Sequence, residues 1–574
     1  MTREDIADVL ENIALLLELK GENVFKTRAY RNGAEIARTG DCDIIGLAKE
    51  NRLAEIDGIG KALQDKIHEL VTTGKMDYYE DLRSGFLPTL FDLFEIQGLG
   101  PKKIKALYDK LEIDSIESLK RACEDGSISQ LSGFGTKTVE KLLAAIELRE
   151  KFSSLFRLGD VAVLAESLLD AIREHPATLQ CCHAGSYRRS KEILHDVDIL
   201  VATNHPGELT KYFSELEIVE DVIACGSTKA SVRLANGLQA DLRAVSNKEF
   251  PFALQYFSGS KEHNVALRQR SLKKGWSLNE YGFSVKEDAE APPEIQQEED
   301  IYQALGLQYI PPELRENRGE FEAAEHGEIP KLIELENLRG TFHNHTTASD
   351  GRNSLEEMAE AAIDLGLEYL GIADHSKSSF QANGLYPERL LKQIDEIKAL
   401  NKQWEGSFRL LAGSEVDILK DGSLDFPDDI LKQLDYAVAS VHNAFTLSED
   451  EMTARIIRAM ENPYITMLGH VTGRLLLKRE AYAVNIDKII DCAAETGTII
   501  ELNCSPYRLD MDWRHWRKAR DKGVLCSINP DAHRVEHLQF LSFGVRLARK
   551  GWLRRQDVIN TKPLAEVLEF LKIQ

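Results

Sequence analysis

Short apolar runs alternate with amphipathic helical stretches through the last third of the chain. Apolar runs of this length between helices are typical of buried parallel strands. Nearly every run ends at a histidine or a carboxylate, and such side chains converge on one face of a barrel-like fold. The pattern therefore predicts a metal site assembled from a whole domain. The predicted strands are Thr341–Phe342, Tyr369–Ala373, Leu410–Ser414, Tyr436–Val441, Ile465–Gly469, Thr498–Leu502 and Val524–Pro530.

The side chains at the ends of these runs are imidazoles and carboxylates, with no cysteine among them. Such a set suits Zn²⁺, Mn²⁺ or Fe²⁺, and it is larger than one tetrahedral ion uses, so we expect about two to three ions. Clustered ions activate a bridging water and neutralise a phosphate, which predicts phosphoester hydrolysis. Asn503 is interpreted either as lining the site or as a turn residue, and Arg508 either as a phosphate contact or as a surface residue. The residues predicted from this pattern are His343, His345, His375, Glu415, His442, His470, Asp531 and His533.

The first third is helical and contains a repeated glycine turn. Each copy reads apolar-x-Gly-apolar-Gly and precedes a basic amphipathic helix. Glycine allows a positive φ and close backbone approach, and the following helix N-terminus offers N–H groups to a phosphate. One copy alone would favour a tight helix–helix turn, but three copies resemble helix-hairpin-helix motifs, which bind the DNA backbone without reading its sequence. The DNA-binding candidates are Gly58, Gly60, Gly98, Gly100, Lys102, Gly133, Gly135 and Lys137.

A second carboxylate cluster is predicted in the middle third. Asp196 and Asp198 lie two residues apart in a strand-like segment, so both face the same side. A later strand contributes Asp241. Asp-x-Asp alone is common in turns, but three carboxylates on adjacent strands can hold two Mg²⁺ or Mn²⁺ ions for in-line phosphoryl transfer. The upstream residues suited to a triphosphate are Gly185, Ser186 and Arg189.

Composition restricts the class of protein. The chain has 574 residues, enough for several domains, and 43% of them are hydrophobic, as in globular proteins. Its eight cysteines show no paired spacing, which predicts a reduced, cytoplasmic protein. The charged first residues argue against a secretory signal, and no apolar stretch is long enough to span a membrane. The net charge of −23 excludes a general coat of nucleic-acid affinity but leaves room for local basic grooves.

These segments resemble two known families. The string from Gly185 to Asp198, together with Asp241, resembles the palm of family X DNA polymerases, and the segment from Tyr256 to Ser260 resembles their thumb side. His343-x-His345, Asp374-His375 and Asp531-x-His533 resemble the polymerase-and-histidinol-phosphatase (PHP) domain. The resemblances follow the order found in bacterial family X polymerases and span nearly the whole chain.

The resemblance implies roles for individual residues. It implies polymerase catalysis and metal binding by Asp196, Asp198 and Asp241. The implied nucleotide-binding residues are Arg157, Gly185, Ser186, Arg189, Tyr256, Phe257, Gly259, Asn264 and Arg268. The implied PHP metal ligands are His343, His345, Asp350, His375, Glu415, His442, His470, Asp531 and His533.

Two residues depart from the family pattern or leave a role open. His195 stands where the family usually has glycine, and we expect it to crowd the triphosphate approach. Lys66 lies where animal relatives carry a Schiff-base lysine, which makes it a candidate lyase residue. We favour a backbone-binding or solvated lysine, because a nucleophilic lysine needs a lowered pKa.

The predicted fold class is multidomain α+β and α/β, with a helical helix-hairpin-helix region, a nucleotidyltransferase palm with a thumb, and a distorted (β/α)7 PHP barrel. The predicted domains are a helix-hairpin-helix domain at 1–85, a fingers-like helical domain at 86–150, a palm at 151–246, a thumb at 247–318, a polar linker at 319–339 and a PHP domain at 340–574.

The predicted function is gap-filling DNA repair synthesis by two-metal transfer from dNTPs, with PHP-dependent 3′-end removal and action at abasic sites. The expected partners are gapped or nicked DNA and dNTPs, and we expect a monomer. Three alternatives stay open. They are a small-molecule phosphatase fused to a vestigial palm, a non-enzymatic DNA-end scaffold, and a nucleotidyltransferase that acts on RNA or small molecules.

Overall fold

A computed structural model describes residues 3–39, 44–56, 58–96, 99–152, 154–404 and 406–573. The chain divides into two units, residues 1–153 and 154–574. The predicted Gly98 lies outside the described residues.

The described part of the first unit is helical and contains no strand. Each helix buries one apolar stripe in a shared core that includes Ile13, Ile67 and Ile104. α4 ends at Gly74, whose φ of 75° places it in the left-handed region that glycine favours. The helices are α1 Arg3–Lys20, α2 Val24–Thr39, α3 Ile44–Lys49, α4 Lys61–Thr73, α5 Asp77–Ser84, α6 Pro88–Phe91, α7 Pro101–Leu111, α8 Ile116–Glu124 and α9 Thr136–Phe152.

The second unit begins with the palm region, residues 154–246. Its main sheet has the order β2-β4-β7-β6-β5, and β4 and β7 are parallel neighbours at its centre. The elements are β1 Phe156–Arg157, α10 Leu158–Glu174, β2 Thr178–His183, α11 Gly185–Arg188, β3 Ile193–Leu194, β4 Asp196–Thr203, α12 Pro206–Ser214, β5 Val219–Cys225, β6 Lys229–Leu234 and β7 Gln239–Val245.

The thumb region, residues 247–339, packs helices on a two-stranded hairpin. Its core joins Leu267, Trp276 and Tyr302 with Phe321. The elements are α13 Phe250–Ser258, α14 Lys261–Lys273, β8 Trp276–Asn279, β9 Gly282–Val285, α15 Glu298–Ala304 and α16 Glu320–His326.

The segment predicted as a linker at 319–339 contains α16, which is packed into the thumb core. The first acidic residue of this segment is buried rather than solvated. Glu320 is fully buried, accepts hydrogen bonds from the backbone N–H groups of Asn317 (2.7 Å) and Arg318 (2.6 Å), and lies 2.9 Å from His263 Nδ1. A carboxylate satisfied in this way can be buried, which composition alone does not indicate.

The barrel region, residues 340–574, confirms the predicted parallel barrel. Within residues 340–404 and 406–573, seven parallel strands follow one another in chain order from β10 to β16. Ala532 hydrogen-bonds to the backbone of His343 and His345, so the first and last strands meet. The strands are β10 Gly340–Thr341, β11 Tyr369–Ile372, β12 Arg409–Asp417, β13 Tyr436–Ser440, β14 Met467–Leu468, β15 Ile499–Asn503 and β16 Cys526–Asn529.

Helices between the strands cover the outside of the barrel, as parallel sheets require. α17 begins at a capping box in which Ser354 and Glu357 bond each other's backbone. The helices are α17 Leu355–Asp364, α18 Pro387–Asn401, α19 Asp428–Leu431, α20 Glu449–Met460, α21 Ile486–Thr496, α22 Trp513–Asp521, α23 Leu541–Lys550 and α24 Leu564–Phe570.

Candidate active sites

Three carboxylates meet at the centre of the palm sheet. Asp198 on β4 pairs directly with Asp241 on β7. Asp196 lies on the same face of β4 as Asp198, because Val197 between them points into the core and is fully buried. Adjacent parallel strands thus bring three acidic side chains to one face of the sheet.

The carboxylates of this cluster repel one another. Burial, together with the charges of Asp196 and Asp241, raises the pKa of Asp198 to about 7. Burial and Asp241 also raise the pKa of Asp196. Burial acts in the same direction on Asp241, but hydrogen bonds from Lys229 (2.7 Å) and Gln239 (3.0 Å) lower its pKa overall. Such a cluster fits divalent cations, which offset the charge that the carboxylates carry together.

A glycine lets the neighbouring loop approach this cluster. Gly185 has a φ of 58°, and a Cβ at this position would lie 1.9 Å from Asp198 Oδ2. Ser186 beside it is half-buried, and His195 is exposed. The adjoining cavity of about 130 Å³ is lined by Ala184, Asp198, Ile199, Leu200, Lys229, Asp241, Arg243 and Phe257.

The predicted thumb-side residues form one connected group. Tyr256 and Phe257 pack edge to face at 5.0 Å, and Phe257 reaches the cavity. Gly259 turns the chain with a φ of 70°. The Asn264 amide donates to the Tyr256 carbonyl (2.7 Å), and Arg268 lies 4.9 Å from the Tyr256 ring centroid. Asn264 and Arg268 thus support the aromatic pair and do not line the cavity.

Arg189 is held between the thumb and the barrel region. Its Nε lies 3.2 Å from Glu316 Oε1, and its Nη1 donates to the Ser258 carbonyl. Lys550 on α23 is fully buried and donates to the Arg189 carbonyl (2.8 Å) and to Glu316 Oε1 (2.7 Å). A barrel helix therefore fixes the loop that leads to the palm carboxylates.

Arg157 does not join the other predicted nucleotide-binding residues. Its Nε lies 2.7 Å from Asp160, and its guanidinium is 4.1 Å from the Tyr507 ring centroid. The side chain does not line the cavity beside Asp198. A loop from the barrel region occupies its surroundings, and the palm sequence gives no sign of that contact.

In the barrel, the predicted ligands converge on Glu415. Its Oε1 lies 3.0 Å from His470 Nε2 and 3.2 Å from His442 Nε2. Its Oε2 lies 2.8 Å from His375 Nδ1 and 3.4 Å from His343 Nε2. Glu415 was predicted at a strand end, but β12 continues to Asp417 because it pairs with β13 through that residue.

The other ligands form the opposite wall. His345 Nε2 lies 3.2 Å from Asp531 Oδ1, and Asp350 Oδ2 lies 3.5 Å from His533 Nε2 and 3.6 Å from His375 Nε2. Among the described residues, three groups offer ligand atoms within 4.8 Å of one another. They are His345, Asp350, His375 and His533; His343, His345 and Glu415; and His375, Glu415 and His442.

The chemistry of these side chains fits metal ions. Nε2 of His343, both ring nitrogens of His345 and Nδ1 of His375 are buried without a hydrogen bond of good geometry. Buried polar atoms are normally bonded, and an imidazole lone pair left free inside a protein suits a cation. The residues present therefore fit the divalent ions that the sequence predicts, at more than one position.

The charges in this pocket support the same conclusion. Burial opposes ionisation of Glu415, but the imidazoles of His442 and His343 hold its pKa well below the usual range. Burial and the neighbouring His533 lower the pKa of His345 to about 4, so its ring is neutral and free to coordinate.

Two carboxylates that the sequence analysis missed orient these imidazoles. Glu501 Oε2 lies 2.6 Å from His343 Nδ1, and Asp417 Oδ1 lies 2.7 Å from His442 Nδ1. A carboxylate on the second ring nitrogen fixes the tautomer and raises the basicity of the first. Each lies two residues from a residue that was singled out, Asn503 and Glu415, and on the same face of its strand.

Seven of the nine predicted ligands, all except His343 and His345, line a cavity of about 660 Å³. Arg508 reaches it with its Nε 3.6 Å from Asp531 Oδ2, so a cationic group faces the pocket. Asn503 donates to Glu501 (3.0 Å) and Asp531 (3.0 Å), which places it behind the ligands. The remaining lining residues include the segment from Ser378 to Ala382, Asn443 and the ligands described above.

Four of the five described hairpin glycines lie open in the first unit. Gly60, Gly100, Gly133 and Gly135 have open space where a Cβ would be. Gly58 and Gly133 have φ values of 91° and 93°, which favour glycine. Lys102 and Lys137 are exposed in the helices that follow, while the apolar residues between the glycines are buried: Ile59, Leu99 and Phe134.

Lys66 lies in a cavity of about 440 Å³ beside the first hairpin. Its Nζ is 4.6 Å from the Tyr78 ring centroid and 3.3 Å from the Ala62 carbonyl. Lys26 lies over the same ring at 5.6 Å. The arrangement places two ammonium groups near one aromatic ring.

Together these features are typical of an enzyme class that uses divalent metal ions, with one candidate metal site on a nucleotidyltransferase-like palm sheet, another in a phosphoesterase-like barrel, and helical hairpins in the first unit. Family profiles match in the same order: a helix-hairpin-helix domain at 1–76, a SAM-like helix-hairpin-helix tandem at 91–148, a DNA polymerase beta thumb at 253–316 and a PHP domain at 341–505. The chain is 39% identical to the DNA polymerase/3′-5′ exonuclease PolX of Bacillus subtilis (strain 168) over 574 residues, 100% of both chains. It belongs to the bacterial family X DNA polymerases with a C-terminal PHP domain, which confirms the predicted family and fold class.

Shorter relatives match less than half of the chain. A probable phosphatase of Thermoanaerobacter sp. (strain X514) is 28% identical over 241 residues, 40% of this chain and 93% of its own length. A second probable phosphatase, of Clostridium novyi (strain NT), is 31% identical over 170 residues, 29% of this chain and 64% of its own. Among the helices of the described residues, none is both long and apolar enough to cross a membrane.

Proposed function

We propose that this chain is a DNA-directed DNA polymerase that fills short gaps during repair, with a PHP-domain 3′–5′ exonuclease acting on the same strand. The observation that carries the proposal is the pair of separate pockets. One has three carboxylates on a palm sheet, and the other has nine imidazole and carboxylate side chains inside a barrel. The name and full-length similarity of the Bacillus subtilis relative support both activities.

In the palm, we assign Asp196, Asp198 and Asp241 to a pair of Mg²⁺ or Mn²⁺ ions. Ions held there by these carboxylates would supply positive charge to polarise the triphosphate and the primer 3′-hydroxyl. The hydrogen bond from Lys229 keeps Asp241 ionised, so its carboxylate can take the hydroxyl proton. Gly185 lets the loop backbone meet the triphosphate, and Arg189 offsets its charge.

In the barrel, we assign the nine predicted ligands to two or three Mn²⁺, Zn²⁺ or Fe²⁺ ions. Ions held there by these side chains would supply an activated water and would neutralise the scissile phosphate. Arg508 holds a non-bridging phosphate oxygen from the cavity wall. Glu501 and Asp417 keep the His343 and His442 rings oriented.

The partners and domains follow from these assignments. We propose that the hairpin glycines and Lys102 and Lys137 bind the backbone of gapped or nicked DNA, that Lys66 contributes charge to the cavity beside them, and that the enzyme works as a cytoplasmic monomer. The proposed domains are those predicted from the sequence, except that residues 319–339 belong with the thumb.

Two double variants test the assignment. Asp196→Ala with Asp198→Ala should abolish primer extension on gapped DNA and leave 3′-end removal intact. His343→Ala with His345→Ala should do the reverse. Metal bound at saturation should fall in both variants, by the palm ions in the first and by the barrel ions in the second. If both activities fall together in either variant, the separation into two centres is wrong.

The second candidate function is hydrolysis of small-molecule phosphate esters, which the names of the shorter relatives favour. Hydrolysis of a simple phosphomonoester, measured beside 3′-end removal from a primer, distinguishes the two. A phosphomonoester preference above the DNA rate would replace the exonuclease assignment and leave the polymerase assignment untouched.

A further inference from the structure

Phe380 lies at the mouth of the barrel cavity with 82% of its side chain exposed. Single exposed apolar residues are common on protein surfaces and mean little alone. The position of this ring sets it apart, because the same cavity is lined by Arg508 and by the metal-binding side chains. An aromatic ring therefore lines the same cavity as side chains that can bind a phosphate.

The turn that carries this ring is held from both sides. On the N-terminal side, Ser378 donates to Asp425 through its backbone N–H (2.7 Å) and its hydroxyl (2.6 Å). On the C-terminal side, Gly384 packs so closely that a Cβ would lie 2.0 Å from the Ser376 carbonyl oxygen. Residues Phe380–Ala382 form a single 3-10 turn between these contacts. The backbone of the turn that carries the ring is therefore held in place.

The turn is also connected directly to the metal-binding side chains. The Ser379 hydroxyl donates to Asp417 Oδ2 (2.8 Å), and Asp417 Oδ1 lies 2.7 Å from His442 Nδ1. Phe380 is thus one peptide unit from a serine that shares a carboxylate with a proposed ligand. This connection anchors the turn that carries the aromatic ring to the proposed metal-binding side chains.

We propose that Phe380 is the platform on which the 3′-terminal base of a DNA strand stacks when its last phosphodiester occupies the barrel pocket. The inference rests on the proposed exonuclease function and names a binding subsite for it. Every nucleobase has an aromatic face, so stacking accepts any terminal base without reading its identity. A cavity of about 660 Å³ is within the size range of pockets that enclose a ligand as large as one nucleotide.

The first test pairs a change in the enzyme with a change in the substrate. Phe380→Ala should lower kcat/KM for 3′-end removal about 5- to 150-fold on a primer ending in a normal base. On the same primer ending in an abasic residue, the loss should be less than about twofold, because no base remains to stack. Phe380→Trp should keep most of the activity on the normal primer.

A matched control lies in the same segment. Tyr386 is also a largely exposed aromatic residue (55%), but it does not line the cavity. Tyr386→Ala should leave removal of both primer ends unchanged. Primer extension by Phe380→Ala should also stay at the wild-type level, because its ring lies outside the palm.

A binding measurement keeps the test independent of catalysis. A primer with 2-aminopurine at its 3′ end, mixed with chelator-treated enzyme, should lose fluorescence when its base stacks on Phe380. The quenching should persist in Phe380→Trp and disappear in Phe380→Ala.

Three outcomes would overturn the inference: equal losses on normal and abasic ends, no loss on either, or quenching unchanged by Phe380→Ala. Failure of the exonuclease assignment looks different. In that case the wild-type enzyme itself would not remove 3′ ends, or His343→Ala with His345→Ala would leave the removal intact.

Discussion

Glutamine at position 501 changes one atom of the barrel site and removes one charge. Glu501 is fully buried, and each of its carboxylate oxygens accepts two hydrogen bonds. Oε2 accepts from His343 Nδ1 (2.6 Å) and Asn529 Nδ2 (2.9 Å), and Oε1 accepts from the His470 backbone N–H (2.9 Å) and Asn503 Nδ2 (3.0 Å). A glutamine amide replaces one of these acceptors with a donor, so two donors lose their partner in either orientation.

The size of the effect follows from these contacts. Each buried donor left unpaired costs about 1–3 kcal/mol of stability. Loss of the carboxylate behind His343 also removes the group that orients its ring and raises its basicity. Loss of such a partner typically weakens metal binding about 10- to 100-fold. We expect the loss of metal affinity in Glu501→Gln to fall within this range, and the rate of 3′-end removal to decrease when metal is limiting.

The assay is a Mn²⁺ titration followed by the electron paramagnetic resonance signal of the free ion. Carrying Asp196→Ala and Asp198→Ala in every sample removes the proposed palm ions from the count. Asp435→Asn is the matched control. The Asp435 carboxylate is largely buried at the start of β13, away from the proposed ligands, and it accepts a hydrogen bond from the Ala412 backbone N–H (2.7 Å). If the dissociation constant of Glu501→Gln for Mn²⁺ lies within about twofold of that of the control, Glu501 does not support metal binding.

Three further predictions concern the thumb and its contact with the barrel. Glu298→Gln leaves the buried guanidinium groups of Arg188 and Arg315 without their shared carboxylate, so unfolding of the second unit in denaturant should become easier by about 3–5 kcal/mol. Burial lowers the pKa of His263 from 6.5 to about 4, so the unfolded chain takes up a proton first as the pH falls. Stability should therefore decrease between about pH 6.5 and pH 4, by up to about 3 kcal/mol, and thermal melts of His263→Gln should show a smaller decrease. Lys550→Met removes the amine that donates to the Arg189 carbonyl and to Glu316. Steady-state primer extension should therefore show a several-fold higher KM for dNTP, and 3′-end removal should be unchanged.

Much of the barrel could be predicted from the sequence because its signals are local. A buried parallel strand is an apolar run, and its end is marked where a histidine or carboxylate interrupts that run. Tyr369–Ile372, Tyr436–Ser440 and Ile499–Asn503 fall almost where the pattern predicted them. The same reasoning placed Asp198 and Asp241 on adjacent palm strands, and the structure pairs them directly.

The kinds of elements, their order and the chemical character of both pockets could be predicted from the amino-acid sequence alone. Which polar residues hydrogen-bond to the proposed ligands depends on the tertiary fold. Glu501 lies within an apolar strand, and nothing nearby in the sequence indicates that His343, 158 positions away, turns toward it. Glu320 lies in a segment predicted as a polar linker, yet packing against His263 buries it. Local patterns record which face of an element is apolar, whereas the partner of a buried charge depends on which distant segments the fold brings together.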